Sequence, residues 1–127
     1  MKFLTAILFV ISFAIYGHGE HRPGPHGGII RMPGAFHTEL VVEGSKEFKI
    51  YLLDTNFKFP VTGNSLVKAK FIADKTYEAS CRAEDDFFSC HFDKEVLASK
   101  GELQIISKRN GVKGAVAKYP FPLSRKH

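Results

Sequence analysis

Turn-forming residues divide this chain at short intervals, and the segments between them alternate apolar and polar side chains. The stretch around Ile50 shows the pattern, because Phe48, Ile50 and Leu52 alternate with Lys49 and Tyr51. Such period-2 alternation is typical of strands with one buried face. The turn pairs are Pro33-Gly34, Gly44-Ser45, Gly63-Asn64 and Asn110-Gly111. Because Asn-Gly tolerates positive φ at both positions, the last pair is a strong hairpin signal.

The alternation predicts a series of short strands after residue 28. They are expected at residues 29–32, 36–43, 47–54, 65–73, 76–83, 87–93, 102–108 and 112–119. A short helical turn fits only at residues 93–100. This spacing favours an all-β fold, an antiparallel immunoglobulin-like β-sandwich of about seven to eight strands. A small barrel is the alternative.

Cys81 and Cys90 are the only cysteines of the chain, and we expect them to form a disulfide within one hairpin. If the aspartates at positions 85–86 form a two-residue turn, Cys81 lies opposite Cys90 in a non-hydrogen-bonded pair. Such pairs bring the Cα atoms to about 4.5–5.5 Å, within disulfide reach. A redox-active or metal-binding thiol pair is the alternative, although the chain has no C-x-x-C spacing.

Residues 1–17 have the form of a secretory signal peptide. Lys2 supplies a positive charge, and residues 3–15 are a mostly apolar run. A membrane-spanning helix needs about 20 apolar residues, so this run is too short to anchor well. We expect cleavage after Gly17 or Gly19, a periplasmic or secreted location and no stable membrane insertion after cleavage. A retained anchor is the alternative.

The predicted organisation has four parts. They are a signal peptide at residues 1–17, a His/Gly/Pro-rich arm at 18–28, the β-sandwich domain at 29–123 and a tail at 124–127. An exported chain meets oxidising conditions, which agrees with a disulfide.

The charges and motifs argue against several classes of function. The chain has 18 Lys+Arg against 13 Asp+Glu, a net charge of +5. These basic residues are scattered, so we expect no nucleic-acid partner and at most a weak attraction to anionic envelope surfaces. There is no Gly-x-Ser-x-Gly and no glycine-rich phosphate loop, and the acidic residues 84–86 are expected at a hairpin tip without a cleft. We therefore predict that the protein is not an enzyme.

Four of the six histidines fall within residues 18–37, directly after the leader. Neutral imidazole is the commonest side-chain ligand of copper and zinc, and a thioether beside imidazoles favours copper. The candidate metal ligands are His26, His37, Met32, His18 and His21. Cleavage after Gly17 would also let the amine and imidazole of His18 chelate Cu(II) together. Cleavage after His18 would instead make His21 the third residue of an amino-terminal copper chelate.

His26 and His37 are the strongest candidates among these residues. His26 lies in a turn at residues 25–28, whose two glycines allow close approach to a ligand or a neighbouring strand. His37 is expected to be exposed on the non-core face of its strand. A plain turn histidine and a plain surface histidine are the alternatives. A tight hairpin through residues 33–35 would place His37 approximately opposite Arg31, with His26 roughly 16 Å away at ~3.3 Å per residue. Whether the two histidines share a site is therefore open.

Three segments resemble a small periplasmic β-domain with a His-Gly-Gly motif: PHGGII at residues 25–30, HTELVV at 37–42 and FKIYLLD at 48–54. Such domains occur alone or fused to periplasmic adaptor subunits of heavy-metal (copper/zinc) RND efflux systems. The resemblance covers residues 25–72. It implies an exported β-sandwich linked to copper or other heavy-metal handling and resistance, with the histidines of the first two segments as ligands.

Three hypotheses of function follow from the sequence. The first is an exported, non-enzymatic binding protein for a transition-metal ion, copper before zinc, that sequesters the ion or hands it to an efflux-system or other envelope protein. The second is a protein-interaction or envelope-structural immunoglobulin-like module without a physiological metal, in which the arm or an edge strand such as residues 112–119 adds to a partner. The third, a copper enzyme with an N-terminal histidine, requires a mature chain that begins at His18.

Overall fold

The computed structural model of this protein describes residues 23–123, which form ten β-strands and one short 3-10 helix. The helix, Val96–Ala98, lies within residues 93–100, where the sequence predicts a helical turn. The strands are β1 Ile29–Arg31, β2 His37–Val42, β3 Glu47–Leu53, β4 Leu66–Ile72, β5 Thr76–Glu78, β6 Ser80–Ala83, β7 Phe88–His91, β8 Gly101–Arg109, β9 Val112–Lys113 and β10 Ala117–Phe121.

The strands form two antiparallel sheets that face each other. The first sheet has the order β1-β2-β3-β7-β6, and the second has the order β10-β8-β4-β5 with β9 beside β8. Their inner faces share one core, which includes Phe48, Ile50, Phe71, Leu103 and Tyr119. The predicted all-β antiparallel sandwich is thereby confirmed, and the described residues do not form the alternative barrel.

One predicted strand, at residues 76–83, is two strands that belong to different sheets. β5 pairs with β4 in the second sheet, whereas β6 pairs with β7 in the first. The chain crosses between them at Ala79, whose N–H donates to the carbonyl of Ala69 at 3.0 Å. Because side chains alternate through the crossing without interruption, the sequence pattern does not reveal it.

The predicted strand at residues 112–119 is also divided in two. β8 pairs first with β9, where Arg109 lies opposite Val112, and then with β10, where Ile105 lies opposite Ala117. The two registers differ by one residue, so β10 is offset from β9 in the manner of a β-bulge. Together, these two divisions explain why ten strands are observed where about seven to eight are predicted.

The hairpin of β6 and β7 contains the predicted disulfide. Cys81 lies opposite Cys90 with their Cα atoms 4.0 Å apart, and the two cysteines are bonded. The Glu84 N–H donates to the Phe87 carbonyl at 2.8 Å and closes the two-residue turn. Since Cys90 is buried in the core, the bond fastens edge strand β6 to the interior.

β1 and β2 pair as a hairpin, but in a register that differs by one residue from the predicted one. Arg31 lies opposite Thr38 rather than His37. A one-residue shift changes which side chains share a face. Ile30, instead of Arg31, therefore lies on the same outer face as His37. The connecting loop is also held from outside the hairpin, since the Ala115 N–H donates to the Pro33 carbonyl at 2.8 Å.

The outer face of the first sheet carries a second, smaller apolar cluster. Ile30, Tyr51 and Leu53 are buried there, although they point away from the main core. Val41, Phe57 and Phe87 pack around them. The centre of this sheet is consequently buried on both faces.

Candidate functional site: a histidine pair on the outer face of the first sheet

The turn that contains His26 is folded around the carboxylate of Glu39. One oxygen, Oε2, accepts the backbone N–H groups of His26 at 2.8 Å and Gly28 at 2.9 Å. The other, Oε1, lies 2.7 Å from Nδ1 of the His26 ring. Glu39 is 0% exposed, so these three donors take the place of water around a buried charge.

Glycine at two positions allows the turn to close on Glu39. A Cβ on Gly24 would lie 2.5 Å from the Glu39 carboxyl carbon, and one on Gly28 would overlap the Leu40 carbonyl oxygen. The Gly24 N–H donates to the Gly28 carbonyl at 2.9 Å. The predicted close approach of this turn is therefore to a neighbouring strand. From Pro23 onward the arm is a packed turn rather than an irregular segment.

The His26 ring is fixed in position, with Nδ1 bonded to Glu39. It stacks on Tyr51 with the ring centroids 3.7 Å apart and an interplanar angle of 6°. Burial raises the pKa of the Tyr51 phenol above its ordinary value of 10.0, so the stacking partner is uncharged at neutral pH. The His26 side chain is 34% exposed, and within residues 23–123 no hydrogen bond occupies its Nε2.

His37 is buried, at 5% exposed, so the predicted exposure of this residue is wrong. Its Nδ1 lies 3.1 Å from the Asp54 carbonyl oxygen, and its ring stacks on Phe57 at a centroid distance of 4.3 Å. The His37 side chain lies on the non-core face of its strand, as the alternation predicts. Solvent is excluded because the chain after β3 folds back over this face, which the alternation cannot indicate.

The loop that covers His37 is held by Asp54. The carboxylate Oδ1 of Asp54 accepts the N–H groups of Asn56 at 2.8 Å and Lys58 at 2.9 Å. These two hydrogen bonds hold the pKa of the Asp54 carboxyl below its usual value, and the bond from the Lys58 N–H has the larger effect. Phe57 has a φ of 63°. This left-handed conformation costs a bulky residue roughly 1–3 kcal/mol.

In the part of the chain that the structure describes, both histidines are hydrogen-bonded through Nδ1 and neither through Nε2. A carbonyl oxygen only accepts hydrogen bonds, so Nδ1 of His37 must carry the hydrogen, and an ionised Glu39 imposes the same on His26. The neutral rings then carry their lone pairs on Nε2. Metal-binding histidines are commonly oriented by a carboxylate or carbonyl on the other nitrogen in this way.

Of the other three predicted ligands, the structure describes only Met32. Met32 is 49% exposed and directly follows β1, whose last pair sets Arg31 opposite Thr38, the neighbour of His37. His18 and His21 lie outside the described residues. Within residues 23–123, no group of three or more His, Cys, Asp or Glu side chains is arranged to hold a metal ion.

The edge strand predicted to receive a partner strand is partly covered. Arg31 Nε donates to the Lys118 carbonyl of β10 at 2.8 Å, and its guanidinium lies 4.8 Å from the Tyr119 ring centroid. Pro120, also in β10, has no N–H to offer. These features reduce the number of backbone groups that a partner strand could use.

Sequence reasoning missed the residues that support the two histidines. They are Glu39, Tyr51, Asp54 and Phe57. A signal for one of them, Tyr51, was present. β3 is apolar on both faces, since Tyr51 and Leu53 alternate with Ile50 and Leu52, and two-sided apolar strands are typical of sheets covered on both faces.

Comparison of the chain with protein-family models, with curated proteins and with solved structures found no match in any of the three. No helix within residues 23–123 has the length and apolar character required to cross a membrane.

Proposed function

We propose that this protein is an exported, non-enzymatic binding protein for a transition-metal ion, with copper favoured and zinc the alternative. It would sequester the ion or hand it to an efflux-system or other envelope protein. One observation carries the proposal. Two imidazoles lie on the same face of the first sheet, and in each of them Nδ1 is bonded to a protein acceptor while Nε2 is left as a ligand nitrogen.

The ligand set that we propose suits copper better than zinc. Cu(I) is stable with two or three ligands and accepts both imidazole and thioether donors, whereas structural zinc sites are four-coordinate. His26, His37 and Met32 offer two imidazoles and a thioether without requiring a third His, Cys or carboxylate. His18 and His21 lie within eight residues of His26 in sequence and are candidates for further ligands.

The roles of the two histidines differ in this proposal because their exposure differs. His26, at 34% exposed, would receive the ion and exchange it with a partner. His37 would serve as the buried ligand beneath the Phe57 loop. Glu39 is a positioning residue, since its carboxylate fixes the tautomer and the orientation of the His26 ring. The leader and the resemblance to periplasmic efflux-linked domains support export and metal handling.

The test is a competition titration of the chain without residues 1–17, with Cu(I), Cu(II) and Zn(II). This shortened chain keeps every described contact, because both sheets and the disulfide lie within residues 23–123. We expect stoichiometric, submicromolar copper binding that is lost in His26→Ala/His37→Ala. His91→Ala is the matched control, since His91 is exposed on β7, away from the pair.

Two outcomes would overturn the proposal, provided that circular dichroism shows each variant to be folded. One is binding that is weak in the parent chain. The other is binding that is equal in the double variant and in His91→Ala. Met32→Leu adds a check on the metal, because loss of the thioether should weaken Cu(I) binding and leave Zn(II) binding unchanged.

A protein-interaction role is the second candidate, and a different observation favours it. Phe59 is 70% exposed in the loop after β3, and its carbonyl accepts Arg109 Nη2 at 2.5 Å, at the end of β8 where Val112 is also exposed. Large contiguous apolar patches mark contact surfaces, and we propose that Phe59 and Val112 belong to such a patch. Phe59→Ser should then abolish partner capture while His26→Ala/His37→Ala leaves it intact, and the metal hypothesis predicts no such effect.

A further inference from the structure

The outer face of the second sheet concentrates lysines that are scattered in the sequence. Strand pairing brings five of them to one side, which we term the lysine face: Lys68, Lys70, Lys108, Lys113 and Lys118. The burial pattern sets them outward, because their strand neighbours Val67, Ala69 and Tyr119 face the core.

The registers show how closely the five lysines are arranged. Lys108 lies directly opposite Lys113, and Gln104 lies between Lys70 and Lys118. At ~3.3 Å per residue and ~4.8 Å between strands, the five backbone positions fall within roughly 13 Å by 10 Å. These dimensions are close to the screening length of about 8–10 Å at physiological ionic strength, so the electrostatic fields of the five lysines add.

Few carboxylates compensate this charge. Glu78 lies opposite Lys70 at the β5 edge, and Glu102 lies at the far end of the face, where its carboxylate accepts Gln104 Nε2. Among residues 23–123, the ion pairs of lysine and arginine are Lys49–Glu43 and Arg82–Glu84, and neither involves the lysine face. A like-charge pair directly opposite, as at Lys108 and Lys113, is destabilising in a sheet, which suggests that the face has another use.

The chemistry of the face favours one kind of anionic partner. Its cations are all lysine, which bind phosphate as point charges, whereas arginine would give bidentate recognition. The described part of the face has no aromatic ring on which a nucleic-acid base could stack. Leu66, at 40% exposed, and Ile106 lie among the lysines and offer aliphatic contact to an interface.

We propose that the lysine face is a docking surface for an anionic phospholipid bilayer. The protein would rest on the bilayer surface through the outer face of the second sheet, without insertion. The histidine pair lies on the outer face of the first sheet, on the other side of the sandwich, and would remain accessible to a partner. This proposal does not depend on the metal hypothesis.

The test is sedimentation of the chain without residues 1–17 with vesicles of phosphatidylglycerol and phosphatidylcholine, and with vesicles of phosphatidylcholine alone. We expect binding only to the anionic vesicles and a decrease as salt is raised. Lys68→Gln/Lys113→Gln/Lys118→Gln should lower the partition coefficient on the order of 100-fold, at roughly fivefold per lysine.

The matched control is Lys46→Gln/Lys94→Gln/Lys100→Gln, which removes the same charge from exposed loop positions. It should reduce binding far less than the variant of the lysine face. If the two variants lost vesicle binding equally, the binding would depend only on net charge, and the proposal would be overturned. No binding to anionic vesicles, or binding to heparin or DNA instead, would overturn it as well.

Discussion

Glu39 carries a charge at a position where the surrounding side chains are mostly apolar. Its carboxylate is buried and accepts three hydrogen bonds, all from the turn at residues 24–28. A buried charge is tolerated only when it is fully hydrogen-bonded, so Glu39 and the turn depend on each other. This one residue therefore fixes both the path of the arm and the orientation of His26.

Glu39→Gln should lower the free energy of unfolding by about 3 kcal/mol. The amide has only one acceptor oxygen for the three donors, so its N–H₂ group faces either the two backbone N–H groups or Nδ1 of His26, and the charge-assisted bonds are lost. Urea denaturation measures the change. Glu43→Gln is the control, because Glu43 makes only a partly exposed ion pair with Lys49 and should change stability by about 0.5 kcal/mol or less. Equal effects of the two substitutions would contradict the role assigned to Glu39.

The Asp54 loop should depend on pH in a defined direction. Hydrogen bonds from the Lys58 and Asn56 N–H groups lower the pKa of the Asp54 carboxyl in the folded state below 3.8. The stabilisation is thus complete above the ordinary pKa and is lost as the pH falls through the lowered folded-state value. Asp54→Ala should lower the urea midpoint at neutral pH, and the difference from the parent chain should shrink as the pH falls through the lowered folded-state pKa of Asp54. A difference between Asp54→Ala and the parent chain that stays constant over this pH range would refute the assigned role of Asp54.

Some elements of this fold are determined by residues close in sequence, and others are determined by contacts with distant strands. The β6–β7 hairpin and the β8–β9 hairpin follow from short turns, and at residues 110–111 both φ angles are positive, 51° and 84°, as Asn-Gly predicts. The β1–β2 register and the crossing at Ala79 depend instead on contacts with distant strands. The alternation in the sequence therefore does not determine either of them.

Cys81→Ala/Cys90→Ala tests the contribution of the β6–β7 hairpin. Loss of the ten-residue covalent loop should lower the free energy of unfolding by about 2.7 kcal/mol in the chain-entropy model, because the unfolded chain gains freedom. Thermal unfolding, with and without a reductant, measures the change. Reduction should destabilise the parent chain and leave the double variant unaffected. A parent chain that is insensitive to reduction would show that the bond does not stabilise the fold.

The molecule as a whole is held by the core between its two sheets. Phe71 of the second sheet packs edge-on against Phe92 at 6.4 Å and Phe121 at 5.6 Å between centroids. Phe48 of the first sheet contacts the same Phe92 ring at 5.9 Å. Since these rings connect the sheets, we expect the sheets to unfold together.

Phe71→Ala should cost about 3–5 kcal/mol, because it leaves a cavity in this shared core. Far-ultraviolet and near-ultraviolet circular dichroism should report the same transition in the parent chain and in the variant. Phe59→Ala is the matched control, because it makes the same Phe-to-Ala change at an exposed ring. Two separate transitions, or equal costs for the two substitutions, would contradict a single shared core.

The sequence by itself determined the all-β class, most strand positions, the Asn-Gly turn and the Cys81–Cys90 pairing. These features follow from side-chain alternation and from turns of two residues, which are local in the chain. Only the tertiary structure decided that His37 is buried, that Glu39 holds His26, and that five separate lysines share one face. Each of these depends on which strands become neighbours and which loops cover them. That choice is made by packing between residues far apart in sequence, which a period-2 pattern does not encode.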